Sequence, residues 1–181
     1  EMTVGGKCYA VPLYSHAQVM WYRKDLLEKY GLKVPTTWDE LYDADTAITK
    51  GEKGAVYGCS VPMGAGDMMA MRYLNFYVRS AGERLLKDDN TANLTSKAAI
   101  DGINYWVKMY RQNSPADSIN YAVLDQATMY YKGTNAFDFN SGFQIGGVQT
   151  NSPDLMDKIS CAPMPALKAG AAQTGYETSN I

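Results

Sequence analysis

One histidine and three cysteines among 181 residues leave little material for metal or redox chemistry. His16 stands alone and cannot build a histidine-rich metal site. Cys8, Cys59 and Cys161 lie far apart, without the close spacing of a zinc or redox motif. Each adjoins apolar residues in a strand-like segment, which predicts buried thiols, because free cysteine behaves as a small hydrophobe. A Cys8–Cys161 disulfide is the other reading and depends on geometry alone. Runs of one charge are also missing. The 17 basic and 19 acidic residues, net −2, are interspersed, so nothing can track a phosphate backbone and nucleic acid is excluded as a partner. Long apolar runs are missing too: the most apolar stretch, Ala55 to Val78, is broken by Asp67, Arg72 and several glycines and is no membrane span. The start, Glu1 to Gly6, has neither a basic n-region nor an apolar h-region, so any export signal would have to lie upstream of it.

What is present suits one globular α/β domain. Hydrophobic residues make up 46% and charged residues 20% of the chain, enough for a substantial core. Cys8 to Leu13 and Gln18 to Tyr22 read as strands joined through the polar Ser15-His16. Lys24 to Tyr30 is made of helix formers, closed by Gly31 and Pro35. Thr37-Trp38-Asp39-Glu40 has capping-box spacing, and Trp38, Leu41, Ala44 and Ile48 recur at helical intervals behind it. Val56 to Val61 reads as a strand and Asp67 to Ser80 as a helix. A further helix over 96–112 carries Ala99, Ile103, Trp106, Val107 and Tyr110 as its apolar stripe, and another spans Val123 to Tyr131. Thr134 to Phe139 reads as a strand, and Asn140-Ser141-Gly142-Phe143 as a turn into a helix. Ile159 to Ala162 and Thr174 to Ile181 close the chain as strands, and this alternation implies a sheet flanked by helices.

Three ordered motifs carry a resemblance. Gly6-Lys7-Cys8-Tyr9-Ala10-Val11-Pro12, then Val19-Met20-Trp21-Tyr22-Arg23-Lys24-Asp25-Leu26-Leu27-Glu28-Lys29-Tyr30-Gly31-Leu32, then Pro35-Thr36-Thr37-Trp38-Asp39-Glu40-Leu41, resemble the sugar-type extracellular solute-binding proteins of ABC importers. Ser80 to Leu86, Asn140 to Phe143 and Cys161-Ala162-Pro163-Met164-Pro165 are similar to later segments of that family. The resemblance implies a periplasmic-binding-protein-like type II fold with a central mixed sheet flanked by helices. Residues 1–181 would form its second lobe, with 1–13 and 159–181 near the hinge and the first lobe absent. It implies no cofactor, an extracytoplasmic location (periplasmic or lipid-anchored), and three partners: a carbohydrate, the missing lobe and ABC permease subunits. Arg23 departs from the family's asparagine, so the following helix needs another cap.

A pyranose shows a C–H face and a rim of hydroxyls, so a sugar site needs flat aromatics and a few fixed polar groups. By the resemblance, the ligand edge comprises the loop Tyr14-Ser15-His16, the region Asp67 to Tyr73 with Arg72, the turn from Asn140 to Phe143, and Tyr176 with Glu177. Among 14 tyrosines, Tyr14 and Tyr176 could equally pack at the hinge, and His16 could be an ordinary surface residue. Arg72 offers a fork of donors to sugar hydroxyls or lies on a solvated helix face. Met68, Met69 and Met71 read as core filling ahead of a pliant lip for ligand. Two rival classes stand beside non-catalytic binding. A glycosidase-like lobe would need Asp67 and Glu177 to converge on one bond, and a structural, protein-contacting module would need only exposed surface.

Overall fold

The structure, a computed structural model, describes residues 3–11, 13–65, 68–171, 173 and 176–180; for 4, 14, 69 and 176–180 it describes the backbone alone. Two short strands, β1 (Thr3–Val4) and β2 (Lys7–Cys8), form a hairpin over Gly5 and Gly6, both with positive φ as a tight two-residue turn requires. The central strand β3 (Tyr14–Arg23) runs into α1 (Lys24–Lys29) and then α2 (Trp38–Gly51). Next come α3 (Met69–Ser80), α4 (Lys97–Asn113), a 3-10 turn at Ala116–Asn120 and α5 (Val123–Tyr131). The last part comprises β4 (Phe137–Asn140), α6 (Phe143–Asn151), a 3-10 segment at Pro153–Lys158, β5 (Ile159–Ala162) and β6 (Tyr176–Asn180).

The α/β class read from sequence is what the chain adopts. Its four-stranded sheet has the order β4-β3-β5, with β6 also on β3, and each of these ladders is antiparallel. Parallel pairing enters through isolated bridges at Tyr57–Asn135 and Thr37–Ala166. Strand alternation then divides the interior into two. Met20, Phe137 and Phe139 point into the larger core with Leu41, Ile48, Tyr73, Trp106 and Met109. Trp21 points the other way, into a smaller cluster with Tyr130, Val148, Leu155 and Ile159. Trp38 anchors the larger side, with ring centroids 5.5 Å from Trp106 and 6.0 Å from Phe139, while its indole N–H donates to Ser80 Oγ at 2.7 Å.

Local chemistry explains the helix starts. Thr37 Oγ1 accepts from Glu40 N–H at 3.2 Å, and the Glu40 carboxylate accepts from the Thr37 and Thr36 amides, so the predicted capping box is formed. The same amides hold the Glu40 carboxyl below its usual pKa. Ser96 caps α4 by accepting from Ala99 N–H. At α1 no side chain caps the helix. Arg23 instead turns its guanidinium onto Asp25 (2.6 and 2.8 Å) and onto the Gly133 carbonyl (3.0 Å), tying the α1 start to the turn before β4.

Several expectations need correction. Tyr14-Ser15-His16 is no loop: it is the first part of β3, paired to β6. Beyond β2, the expected strand through Leu13 forms no ladder among its described residues, and Tyr9, Val11 and Leu13 are exposed. The segment 56–61 makes one bridge only, because the Ser114 hydroxyl donates to the Cys59 carbonyl (2.7 Å) and accepts from Val61 N–H (3.1 Å), occupying ladder positions. On α4 the buried face is Ala98, Ala99, Gly102, Trp106, Met109 and Asn113, which turns Ile103 out to solvent. Gly102 sets that rotation: a β-carbon there would lie 2.9 Å from Leu74 Cδ1 and 3.1 Å from Tyr77 Cδ1, so α3 and α4 meet at this point. Cys59 is buried as expected, but Cys8 and Cys161 are exposed, and all three are free thiols. No helix among the described residues is long and apolar enough to cross a membrane.

Candidate functional site

The register of β3 brings two of the predicted segments to one place. Gln18 pairs with Tyr176 at the start of β6, and the next residue, Val19, pairs with Asn140 at the end of β4. The turn Ser141-Gly142 and the first residue of α6, Phe143, therefore begin at the point on β3 where β6 begins. The turn is held by the Trp21 indole, which donates to the carbonyls of both Asn140 and Ser141 at 3.2 Å. Asn140 Oδ1 accepts from Ser141 N–H at 3.2 Å. Phe143 is left 40% exposed, and Ile145 beyond it is also exposed. An aromatic plane on a fixed turn can cover the apolar face of a sugar or polyol.

The other predicted residues are distributed less evenly. His16 sits on β3 opposite Thr178, half-buried, and Glu177 pairs with Ala17. The Tyr14 backbone pairs with Asn180. Asp67 lies outside the described residues. Arg72 is half-buried in the first turn of α3, with Nη2 4.0 Å from Met68 Sδ. Met68 and Met71 are exposed rather than core-filling, at 69% and 47%. Tyr73 is a correction: only 1% exposed, it packs 4.8 Å from Trp106 and 5.4 Å from Phe139, because the inward face of α3 carries Tyr73 and Phe76. Asn140 is likewise fully buried, so its side chain supports the turn from below and offers no surface of its own.

Sequence reasoning missed the layer under that turn. Asp138, the cross-strand partner of Trp21, is fully buried and accepts from Gln126 Nε2 on α5. Burial pushes its carboxyl up to about 8, against the opposing pull of the Phe139 amide and the Asn140 side chain. The signal was present in Phe137-Asp138-Phe139: an aspartate between two core aromatics on a buried strand must face a second interior. Among the described residues no cluster of three or more His, Cys, Asp or Glu side chains could hold a metal ion.

Comparison with known proteins agrees with this fold. The family described as bacterial extracellular solute-binding protein matches residues 1–179. A binding protein of Brucella abortus is 28% identical over 178 residues, covering 97% of this chain and 42% of the relative. The mannitol-binding protein of Pseudomonas aeruginosa is 34% identical over 134 residues, 73% of this chain and 30% of its own. The structure of maltose-bound MalE3 from T. maritima superposes with a TM-score of 0.81 at 27% identity, covering 97% of this chain and 45% of that one. The chain thus spans less than half the length of these relatives.

Proposed function

This chain belongs to the family of bacterial extracellular solute-binding proteins, and from that premise we propose that it is the second lobe of a carbohydrate or polyol receptor serving an ABC importer. The observation that carries the reading is the meeting of the Phe143 turn with the start of β6 at Gln18–Val19, which gives one edge of the lobe an exposed aromatic on a rigid mount. Relatives whose names specify mannitol and maltose supply the ligand class. Tyr176 and Glu177 at that junction, with His16, Tyr14, Arg72 and Asp67, are proposed to complete the polar rim. A second lobe would close over the ligand, and the closed form would be the one a permease recognises outside the cytoplasm. Binding energy then shifts a conformational population, with no covalent step.

Calorimetry of the full-length protein with maltose and with mannitol tests this. Phe143→Ala and Tyr176→Ala should each weaken binding of the sugar taken up by about 1–3 kcal/mol, the loss of a large desolvated aromatic contact. Unchanged affinity in both variants removes this edge from the site.

A further inference from the structure

The methionines of this chain differ sharply in their access to solvent. Met20, Met109 and Met164 are at most 2% exposed, inside the larger core. Met63, Met129 and Met156 are half-buried. Met68 and Met71, at 69% and 47%, stand out in solvent at the start of α3. A buried thioether packs much as a hydrocarbon does, whereas an exposed sulfur is open to oxygen-atom transfer.

Met68 also has a neighbour that Met71 lacks. It immediately precedes α3, and Arg72 lies one turn on, its amide donating to the Met68 carbonyl at 2.9 Å. The two side chains therefore share one face, and Arg72 Nη2 stands 4.0 Å from Met68 Sδ. A thioether is a weak acceptor, so this contact satisfies little of the guanidinium. Among the described residues no carboxylate lies within ion-pairing distance of Arg72, and the first turn of α3 has neither an acidic residue nor a side-chain cap. The start of α3 thus sets an accessible two-electron donor against a cation whose hydrogen bonds are largely unused.

We propose that Met68 is a reversible oxidation site for hydroperoxides, hydrogen peroxide included, and that Arg72 captures the product. A sulfur lone pair attacks the terminal oxygen of R–O–O–H. The S–O bond forms, the O–O bond breaks, and the proton of the attacked oxygen passes through water to the departing RO oxygen. Sulfur is oxidised by two electrons, and the peroxide is reduced to an alcohol or to water. Arg72 keeps its protons throughout and only donates hydrogen bonds. The sulfoxide oxygen is a polar acceptor where the sulfur was a weak one, and turned toward Nη2 it comes within charge-assisted range, about 2.7–2.9 Å. The fork of donors on Arg72 is then drawn back onto its own helix. Reduction of each sulfoxide epimer by its reductase restores the thioether.

Full-length protein labelled with 15N-arginine, treated with hydrogen peroxide and followed by peptide mass spectrometry, tests both parts. Met68 should gain one oxygen at least ~5-fold faster than Met63, Met129 or Met156, while Met20, Met109 and Met164 stay unmodified in the folded protein. One arginine side-chain N–H resonance should shift in step with Met68 oxidation and return after treatment with reductases for both epimers. Arg72→Lys should remove that resonance, which identifies it. The shift should be absent from peroxide-treated Met68→Leu, a swap of near-equal volume at an exposed position. Oxidation of Met68 no faster than that of the half-buried methionines overturns the site. An arginine spectrum unchanged by Met68 oxidation, or changed equally in Met68→Leu, overturns the capture by Arg72. The consequence for sugar affinity rests on the crevice reading above, in which Arg72 belongs to the rim, whereas this test needs no ligand and fails or succeeds independently of it.

Discussion

Asp45 is fully buried on the inner face of α2, where its carboxylate accepts weakly from Thr49 Oγ1 at 3.5 Å and from the Cys59 amide. Burial raises its pKa well above the usual carboxylate range, against these two bonds. Gly58 makes room for it: a β-carbon there would sit 1.3 Å from Asp45 Oδ1. A carboxyl whose folded pKa exceeds its unfolded one holds its proton longer in the folded state, so stability is full below the unfolded value and falls as pH rises through the folded one. Asp138 adds the same sign of slope, between an unfolded value near 4 and a folded value of about 8. Urea unfolding midpoints should therefore be higher in mild acid than in mild base. Asp45→Asn, which keeps the acceptor and loses the charge, should flatten that dependence and raise the midpoint most on the basic side. An unaltered slope would mean that Asp45 is not the titrating group. Neither buried carboxyl was read from sequence, since an acidic residue on an amphipathic helix ordinarily marks its solvent face, and only the missing β-carbon at Gly58 gives Asp45 an interior place.

At the scale of elements, α6 is a helix with two glycines in its middle, and the two are not equivalent. Gly146 has open space around its Cα, whereas a β-carbon at Gly147 would meet the Tyr131 ring of α5 at 2.1 Å. Gly146→Ala should stabilise the chain by about 0.5–1 kcal/mol through helix propensity and lost unfolded-state freedom. Gly147→Ala should destabilise by ~1–3 kcal/mol, because α5 and α6 must part or Tyr131 must leave its place. Chemical denaturation of the two single variants checks the opposite signs. Elements with their own end signals were legible: the Thr37–Glu40 box gave the start of α2, and the 123–131 helix has its read bounds. The 56–61 segment misled because its strand-like side chains say nothing of Ser114, fifty-odd residues on, which takes its backbone groups. Helical spacing also fitted Ile103, but packing selected the stripe containing Gly102, where small size matters more than hydrophobicity.

For the whole molecule, the candidate site was legible only as an address. Family position and the register together bring the 140–143 turn to the start of β6, but the burial of Tyr73 and Asn140 depends on how α3 and β4 rotate about their axes. On the two-lobe reading proposed above, a chain that supplies one edge of a crevice supplies only part of the contacts and cannot exclude water by closing. Titrated side by side with maltose or mannitol, residues 1–181 should bind at least ~100-fold more weakly than the full-length protein, a gap of about 2.7 kcal/mol. An affinity within about tenfold, or about 1.4 kcal/mol, would mean that this lobe carries the complete site.

The ten residues of β3 are clamped twice, the first five by β6 and the last five by β4 and β5. The partners change between Gln18 and Val19, so no single ladder spans that point and β3 can bend there without breaking a pair in either half. A bend at that joint would re-aim the 140–143 turn relative to the start of β6, because Val19 pairs with Asn140 and Gln18 with Tyr176.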